Sequence, residues 1–214
     1  MVRKFRERYR SLTNLKKFVY LISPKKINNN FFDKLEKVLS FRNVKFFQLR
    51  LKKCSTKSII SYSNKIKKIT KKYNVNFIIN DRSDIAKKVN ADGCHLGQND
   101  DSIKDSRKLL RNKILGVTCH NSKLLAKIAL KNKADYIAFG SFGNSKLKPK
   151  AKKASLKILN WAKLNIKRPI VVIGGINNLN YKKFLKRGAK YIAISSFIWD
   201  NPDLKPETAI KKFR

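Results

Sequence analysis

The chain has 214 residues, 42% of them apolar, with 52 Lys and Arg against 13 Asp and Glu and a formal net charge of +39. That length suits one domain with a sizeable core, and no apolar run approaches the roughly 18 residues of a membrane helix. The start MVRKFRERYRSLTNLKKFVYLIS is basic but lacks the apolar segment and cleavage site of a secretory signal, and three cysteines (Cys54, Cys94, Cys119) at no framework spacing favour a reducing cytoplasm.

In chain order, residues 1–16 read as a basic helical arm. Runs rich in β-branched and aromatic residues follow at 18–22, 44–51, 76–80, 93–96, 114–117, 136–139, 170–173 and 191–195. Between them lie amphipathic stretches such as FFDKLEKVLSF, SDIAKKV, KLLAKIALKNK and ASLKILNWAKL. Apolar strands alternating with helices imply a parallel sheet covered by helices. Eight strands predict a single (β/α)8 barrel over residues 17–214, with a doubly wound open sheet as the competing arrangement. In a barrel, chemistry gathers at the carboxyl ends of the strands.

The second strand ends QLRLKK, where Gln48, Arg50 and Lys52 alternate and so share one side. An amide and two cations there do not make ordinary core, because unpaired buried charge is costly. An anion satisfies them; a frayed, solvated strand end is the plainer reading. The third strand ends IIND, and HLGQND follows the fourth. Asp81 and Asp100 thus fall on neighbouring loops, with the amides of Asn80 and Gln98 nearby. Facing carboxylates need a proton or cation between them, and Mg²⁺ takes such oxygen ligands beside phosphate. Two helix N-caps explain the same residues equally well. Asp84, Asp101 and Asp105 read as first-turn helix acids, and Asp92 as part of the turn before strand four.

The fifth strand leads into GVTCHN, where Thr118 either donates to an oxyanion or caps the next helix, as Asn121 also can. His95 and His120 each follow a cysteine, but without the close paired spacing of a zinc site. His120 is a candidate for proton transfer. FGSFGNSKLKPKAKK after strand six reads as a polar lid carrying Ser145 and Lys148, or as a solvated loop. VVIGG with Gly175 and AISSF with Ser195 and Ser196 match the phosphate cradle that barrels build after strands seven and eight.

The charge invites a nucleic-acid partner through counterion release. Against that, the lysines are spread along what read as outer helix faces (NKIKKITKKY, NYKKFLKRGAK), and aromatics do not cluster among them. A solvated basic surface fits better, and its field still draws in small phosphorylated substrates.

From about Tyr20 onward, QLRLK, INDR, ADGCHLGQND, GVTCHN, VVIGGI and AISSFI, in that order, resemble thiamine phosphate synthases and their thiazole tautomerase paralogues. The resemblance implies a cytoplasmic (β/α)8 transferase of thiamine biosynthesis. Such an enzyme joins 4-amino-2-methyl-5-hydroxymethylpyrimidine diphosphate to a thiazole phosphate and releases pyrophosphate, with Mg²⁺ as cofactor. It further implies that Gln48, Arg50 and Lys52 bind the pyrimidine and its diphosphate, and that Asn80 lies beside the ring. Asp81 and Asp100 would hold Mg²⁺, Thr118 would contact diphosphate, Ser145 and Lys148 would act from the lid, and Gly175, Ser195 and Ser196 would cradle the thiazole phosphate. Arg50, Lys52 and Lys148 would then be the catalytic cations. Leu147 departs from the family's lid threonine, Asn144 from its proline, Thr118 from the usual serine and Ser195 from an aliphatic residue. A tautomerase-like paralogue using His120 is the nearest rival. A homo-oligomer is compatible with the sequence, and no membrane partner is expected.

Overall fold

The computed structural model describes residues 17–143 and 153–214; the basic arm at 1–16 and the lid residues Asn144, Ser145, Leu147 and Lys148 lie outside them. The eight strands are β1 Val19–Ile22, β2 Val44–Leu49, β3 Asn76–Asn80, β4 Gly93–Leu96, β5 Ile114–Thr118, β6 Tyr136–Gly140, β7 Ile170–Ile173 and β8 Tyr191–Ile194. Each pairs in parallel with its chain neighbours, and β8 returns to β1. That closing pair makes the fold a (β/α)8 barrel and excludes the open sheet. The helices that follow the first seven strands are α1 Phe31–Leu39, α2 Thr56–Lys72, α3 Ser83–Lys88, α4 Ile103–Leu110, α5 Lys123–Lys131, α6 Leu156–Asn165 and α7 Tyr181–Lys186. After β8 come α8 Ser196–Trp199, α9 Pro206–Ala209 and a 3₁₀ turn, Ile210–Lys212.

Strand alternation sorts the side chains into two layers. Val19, Leu21, Phe47, Leu49, Phe77 and Ile79 point outward and pack with the apolar helix faces, Leu35, Val38 and Ile66 among them. Tyr20, Ile22, Phe46, Ile78, Tyr136 and Val171 point inward and fill the barrel. Burying one such side chain contributes about 1.5–3 kcal/mol. The helix faces turned to solvent carry the lysines, as at Lys57, Lys65 and Lys68 of α2, Lys123 and Lys127 of α5, and Lys182 and Lys183 of α7.

The amino-terminal end of the barrel is closed by backbone pairing. Asp92 and Asp135 stand just before β4 and β6. The Asp92 carboxylate accepts from the Phe77 N–H at 2.7 Å, and that of Asp135 from the Leu115 N–H at 2.8 Å. Their own N–H groups donate back to the Phe77 and Leu115 carbonyls. Arg107 pairs with Asp135 at 2.5 Å and also donates to the Arg111, Lys113 and Lys133 carbonyls. Asp92 therefore lies away from the strand ends that carry the candidate chemistry, as its sequence context suggests.

Candidate active site

All ten described candidates from the substrate and metal set line one cavity at the carboxyl ends of the strands: Gln48, Arg50, Lys52, Asn80, Asp81, Asp100, Thr118, Gly175, Ser195 and Ser196. His95 and His120 line it too.

β2 ends at Leu49, so Arg50 and Lys52 stand on the turn beyond it rather than within the predicted strand 44–51. The inward side of Gln48 is nevertheless continued by both cations. Arg50 is fixed through its backbone: its N–H donates to Ser23 Oγ at 2.9 Å. The Ser23 carbonyl in turn accepts from Ser195 Oγ at 3.0 Å. One residue after β1 thus ties the second strand's rim to the eighth's. Burial holds the Arg50 guanidinium below its ordinary pKa, and the Asp81 and Asp100 charges oppose that shift.

The two acids lie side by side. Asp81 Oδ2 is 3.0 Å from Lys52 Nζ. Asp100 Oδ2 accepts from the Gly97 N–H at 2.6 Å. A Cβ added to Gly97 would come 2.8 Å from that same oxygen, so glycine permits the approach. The Asp100 carboxyl is held above the ordinary carboxylate range, first by burial and then by its hydrogen bond with Asp81; Gly97 N–H and Lys52 pull the other way. Neither acid caps a helix: α3 begins after Arg82, and α4 is capped by Ser102, whose side chain accepts from the Asp105 N–H. Asp81 adopts a left-handed backbone, φ 66°, which Asp tolerates better than most residues. The observed caps thus remove the helix-cap explanation of the two acids. Asp105 is a first-turn acid as expected, and Asp84 pairs with Arg82 at 2.7 Å in the first turn of α3. Asp101 precedes its helix and accepts from Ser83 Oγ instead.

Around β4 to β6 the structure adds residues that sequence reasoning passed over. In each Cys-His pair the cysteine turns into the layer beneath the helices, where Cys94 and Cys119 are buried, while the histidine lines the cavity. Burial pushes the Cys119 thiol up to about 12 and raises Cys94 further. Among the described residues no three His, Cys, Asp or Glu side chains converge as a metal cluster. His95 Nε2 lies 2.7 Å from Thr118 Oγ1, and its Nδ1 lies 2.8 Å from Tyr136 OH. Thr118 therefore caps nothing; Ser122 caps α5, and Asn121 Oδ1 accepts from the Ser155 N–H. Gln98 donates to the Thr118 carbonyl at 2.5 Å. His120 sits exposed on the turn after β5 with φ 50°.

The opposite wall is backbone-rich. Gly174 and Gly175 have φ 95° and 66°, and a Cβ on Gly174 would lie 2.0 Å from Ser141 Oγ. β8 ends at Ile194, one residue short of the predicted 195, and Ser195 stands at the N-cap position of α8. Its hydroxyl is engaged by Ser23, so what it offers the cavity is main chain. The first N–H groups of any helix lack intrahelical acceptors. One wall thus carries charged side chains and the other carries glycines and a helix start.

The sequence model of the family described as thiamine monophosphate synthase matches residues 19–198. A thiamine-phosphate synthase of Pelagibacter ubique is 52% identical over 200 residues, covering 93% of this chain and 97% of its own. One of Erythrobacter litoralis is 36% identical, covering 86% and 89%. Among solved structures, a thiamine phosphate pyrophosphorylase of Pyrococcus furiosus superposes with a TM-score of 0.82 at 28% identity, covering 92% of this chain and 94% of that one.

Proposed function

The chain belongs to the thiamine monophosphate synthase family, and on that premise we propose that it is a cytoplasmic, Mg²⁺-dependent thiamine-phosphate synthase. It transfers the pyrimidinylmethyl group of 4-amino-2-methyl-5-hydroxymethylpyrimidine diphosphate to the ring nitrogen of a thiazole phosphate, releasing pyrophosphate. The observation that carries this reading is the charged wall: two carboxylates in mutual contact, one of them 3.0 Å from Lys52, with the Arg50 guanidinium beside them.

The donor set fits a hard divalent cation. Asp81 and Asp100 supply anionic oxygens close enough to share a proton, and cations from β2 stand next to them for a polyphosphate. When bound there, Mg²⁺ neutralises charge on the diphosphate. The remaining work falls to side chains. Gln48 and Asn80 hold the pyrimidine over the barrel. Its amino group stabilises positive charge on the exocyclic carbon as the C–O bond to diphosphate breaks. Arg50 and Lys52 take up the charge that develops on the leaving oxygens, with Thr118 donating to them; electrostatic stabilisation of this kind is commonly the largest catalytic effect. The thiazole nitrogen then attacks the carbon. It carries no proton, so no general base is needed. Gly175, Ser195 and Ser196 hold the thiazole phosphate through main-chain N–H groups, and Ser145 and Lys148 contribute from the segment that follows β6 in the sequence.

The assay supplies both phosphorylated substrates and follows thiamine phosphate. Activity that collapses on chelation and returns with Mg²⁺ is expected; turnover indifferent to chelation refutes the metal role. His120 lines the same cavity, which is what favours the tautomerase-like alternative. That reaction leaves Arg50, Lys52 and the acid pair without a task, and it requires His120→Asn to abolish turnover. The synthase reading expects His120→Asn to keep most of it.

A further inference from the structure

Beneath the cavity, four hydrogen bonds join five side chains from five strands. Gln48 Nε2 lies 3.0 Å from Tyr20 OH, which is 2.7 Å from Tyr136 OH. Tyr136 OH is 2.8 Å from His95 Nδ1, and His95 Nε2 is 2.7 Å from Thr118 Oγ1. Tyr20 and Tyr136 are fully buried, Gln48 is 2% exposed and His95 8%. The two ends, Gln48 and Thr118, line the cavity; the two tyrosines do not. Room for the path is built into β5: Gly116 pairs with Tyr136, and a Cβ there would fall 1.8 Å from the Tyr136 ring.

Each hydroxyl has one proton, and a neutral imidazole has one donor and one acceptor nitrogen. Two arrangements therefore point every link the same way along the chain. In the first, Gln48 donates to Tyr20, Tyr20 to Tyr136, Tyr136 to His95 Nδ1, and His95 Nε2–H to Thr118. The Gln48 carbonyl oxygen is then left for the cavity, and Thr118 keeps its proton to donate there. In the second, every bond is reversed: Thr118 donates to His95, and Gln48 turns its NH₂ outward. A mixed arrangement either sets two donors or two lone pairs face to face or makes one tyrosine accept twice and leaves its buried proton unused, which is costly, and in the latter Thr118 still donates to His95.

We propose that Tyr20, Tyr136 and His95 are positioning residues that couple the polarity of the Gln48 amide to an anion at Thr118. The proposal rests on the reading above, in which diphosphate lies at Thr118 and the pyrimidine at Gln48. An anion needs the Thr118 proton and so selects the first arrangement. Gln48 then turns its carbonyl oxygen to the cavity, which an exocyclic amine satisfies and an oxo group in its place repels. Without the relay, the amide turns freely and accommodates either.

The experiment compares kcat/KM for the aminopyrimidine diphosphate with that for the analogue bearing oxo in place of amino, in the full-length wild type, Tyr136→Phe and Tyr20→Phe. Each variant keeps its ring and removes a hydroxyl that makes two of the four links. The wild type should prefer the amine, and both variants should lose about tenfold of that preference, the scale of one hydrogen bond. The KM for the thiazole phosphate should stay within about twofold of wild type, which a general loss of structure would not allow. A preference retained in both variants, or absent from the wild type, overturns the relay and leaves the synthase reading standing. A wild type that turns over neither substrate overturns both. Should Tyr136→Phe fail to fold, Tyr20→Phe alone decides, because it breaks the same path from the other side.

Discussion

The two ends of this barrel use the same residue type for opposite purposes. At the amino end, Asp92 and Asp135 are each met by a backbone N–H, and Asp135 also by Arg107. At the carboxyl end, Asp81 and Asp100 meet one another, with Gly97 N–H, Lys52 and the Arg50 charge set against them. The first arrangement lowers the energy of the folded chain. The second holds like charges together, a cost a protein bears where charge is to be received. The contrast teaches that what surrounds a carboxylate, rather than its presence, separates a structural site from a chemical one.

Substitution breaks the contrast most sharply. Asp81→Ala and Asp100→Ala should each lower kcat/KM by at least about a hundredfold, in keeping with loss of transition-state charge stabilisation. Their thermal midpoints should stay near wild type; a variant with near-full rate refutes the metal role. The amino end should answer the other way. Asp135→Ala should cost about 2 kcal/mol in a urea titration, and Asp92→Ala about half that, because each orphans a backbone N–H. Turnover per folded enzyme should not change in either, and a fall in kcat without a loss of stability would erase the distinction.

The smallest effect is the most diagnostic. Asp100 keeps its proton above the ordinary carboxylate value of 3.8 in the folded chain. From 3.8 up to that raised value, the folded state binds more protons than the unfolded one, so stability falls as pH rises through the window. Asp100→Asn should flatten this fall in urea titrations of the metal-free protein carried upward from pH 3.8. An unchanged slope would mean that the acid pair is not strained.

The sequence displayed the barrel because each strand is a short apolar run and each helix has its own stripe. It displayed the rim because Gln48, Arg50 and Lys52, the two acids, and GG with SS all interrupt apolar runs at their ends. What it hid depends on closure. Tyr20 and Tyr136 are apolar-looking residues 116 positions apart, and nothing local says that their hydroxyls meet. His95 gained no role from the sequence beyond failing the zinc spacing, because its partners Tyr136 and Thr118 come from other strands. Caps were also ambiguous: Ser102 and Ser122 sit next to Asp100, Asp101 and Asn121, which are equally good capping types. Nor does the sequence show that the Ser195 hydroxyl is taken by the Ser23 carbonyl across the seam.

The pairing of β8 with β1 also bears on how the chain comes into being. Until the last strand emerges from the ribosome, β1 presents an open edge, and seven apolar strands await their closing partner. Such edges recruit strands from neighbouring molecules. With a formal charge of +39, nascent copies repel one another during that interval. Once the seam is sealed, the sheet of the described residues has no edge left for another molecule to extend.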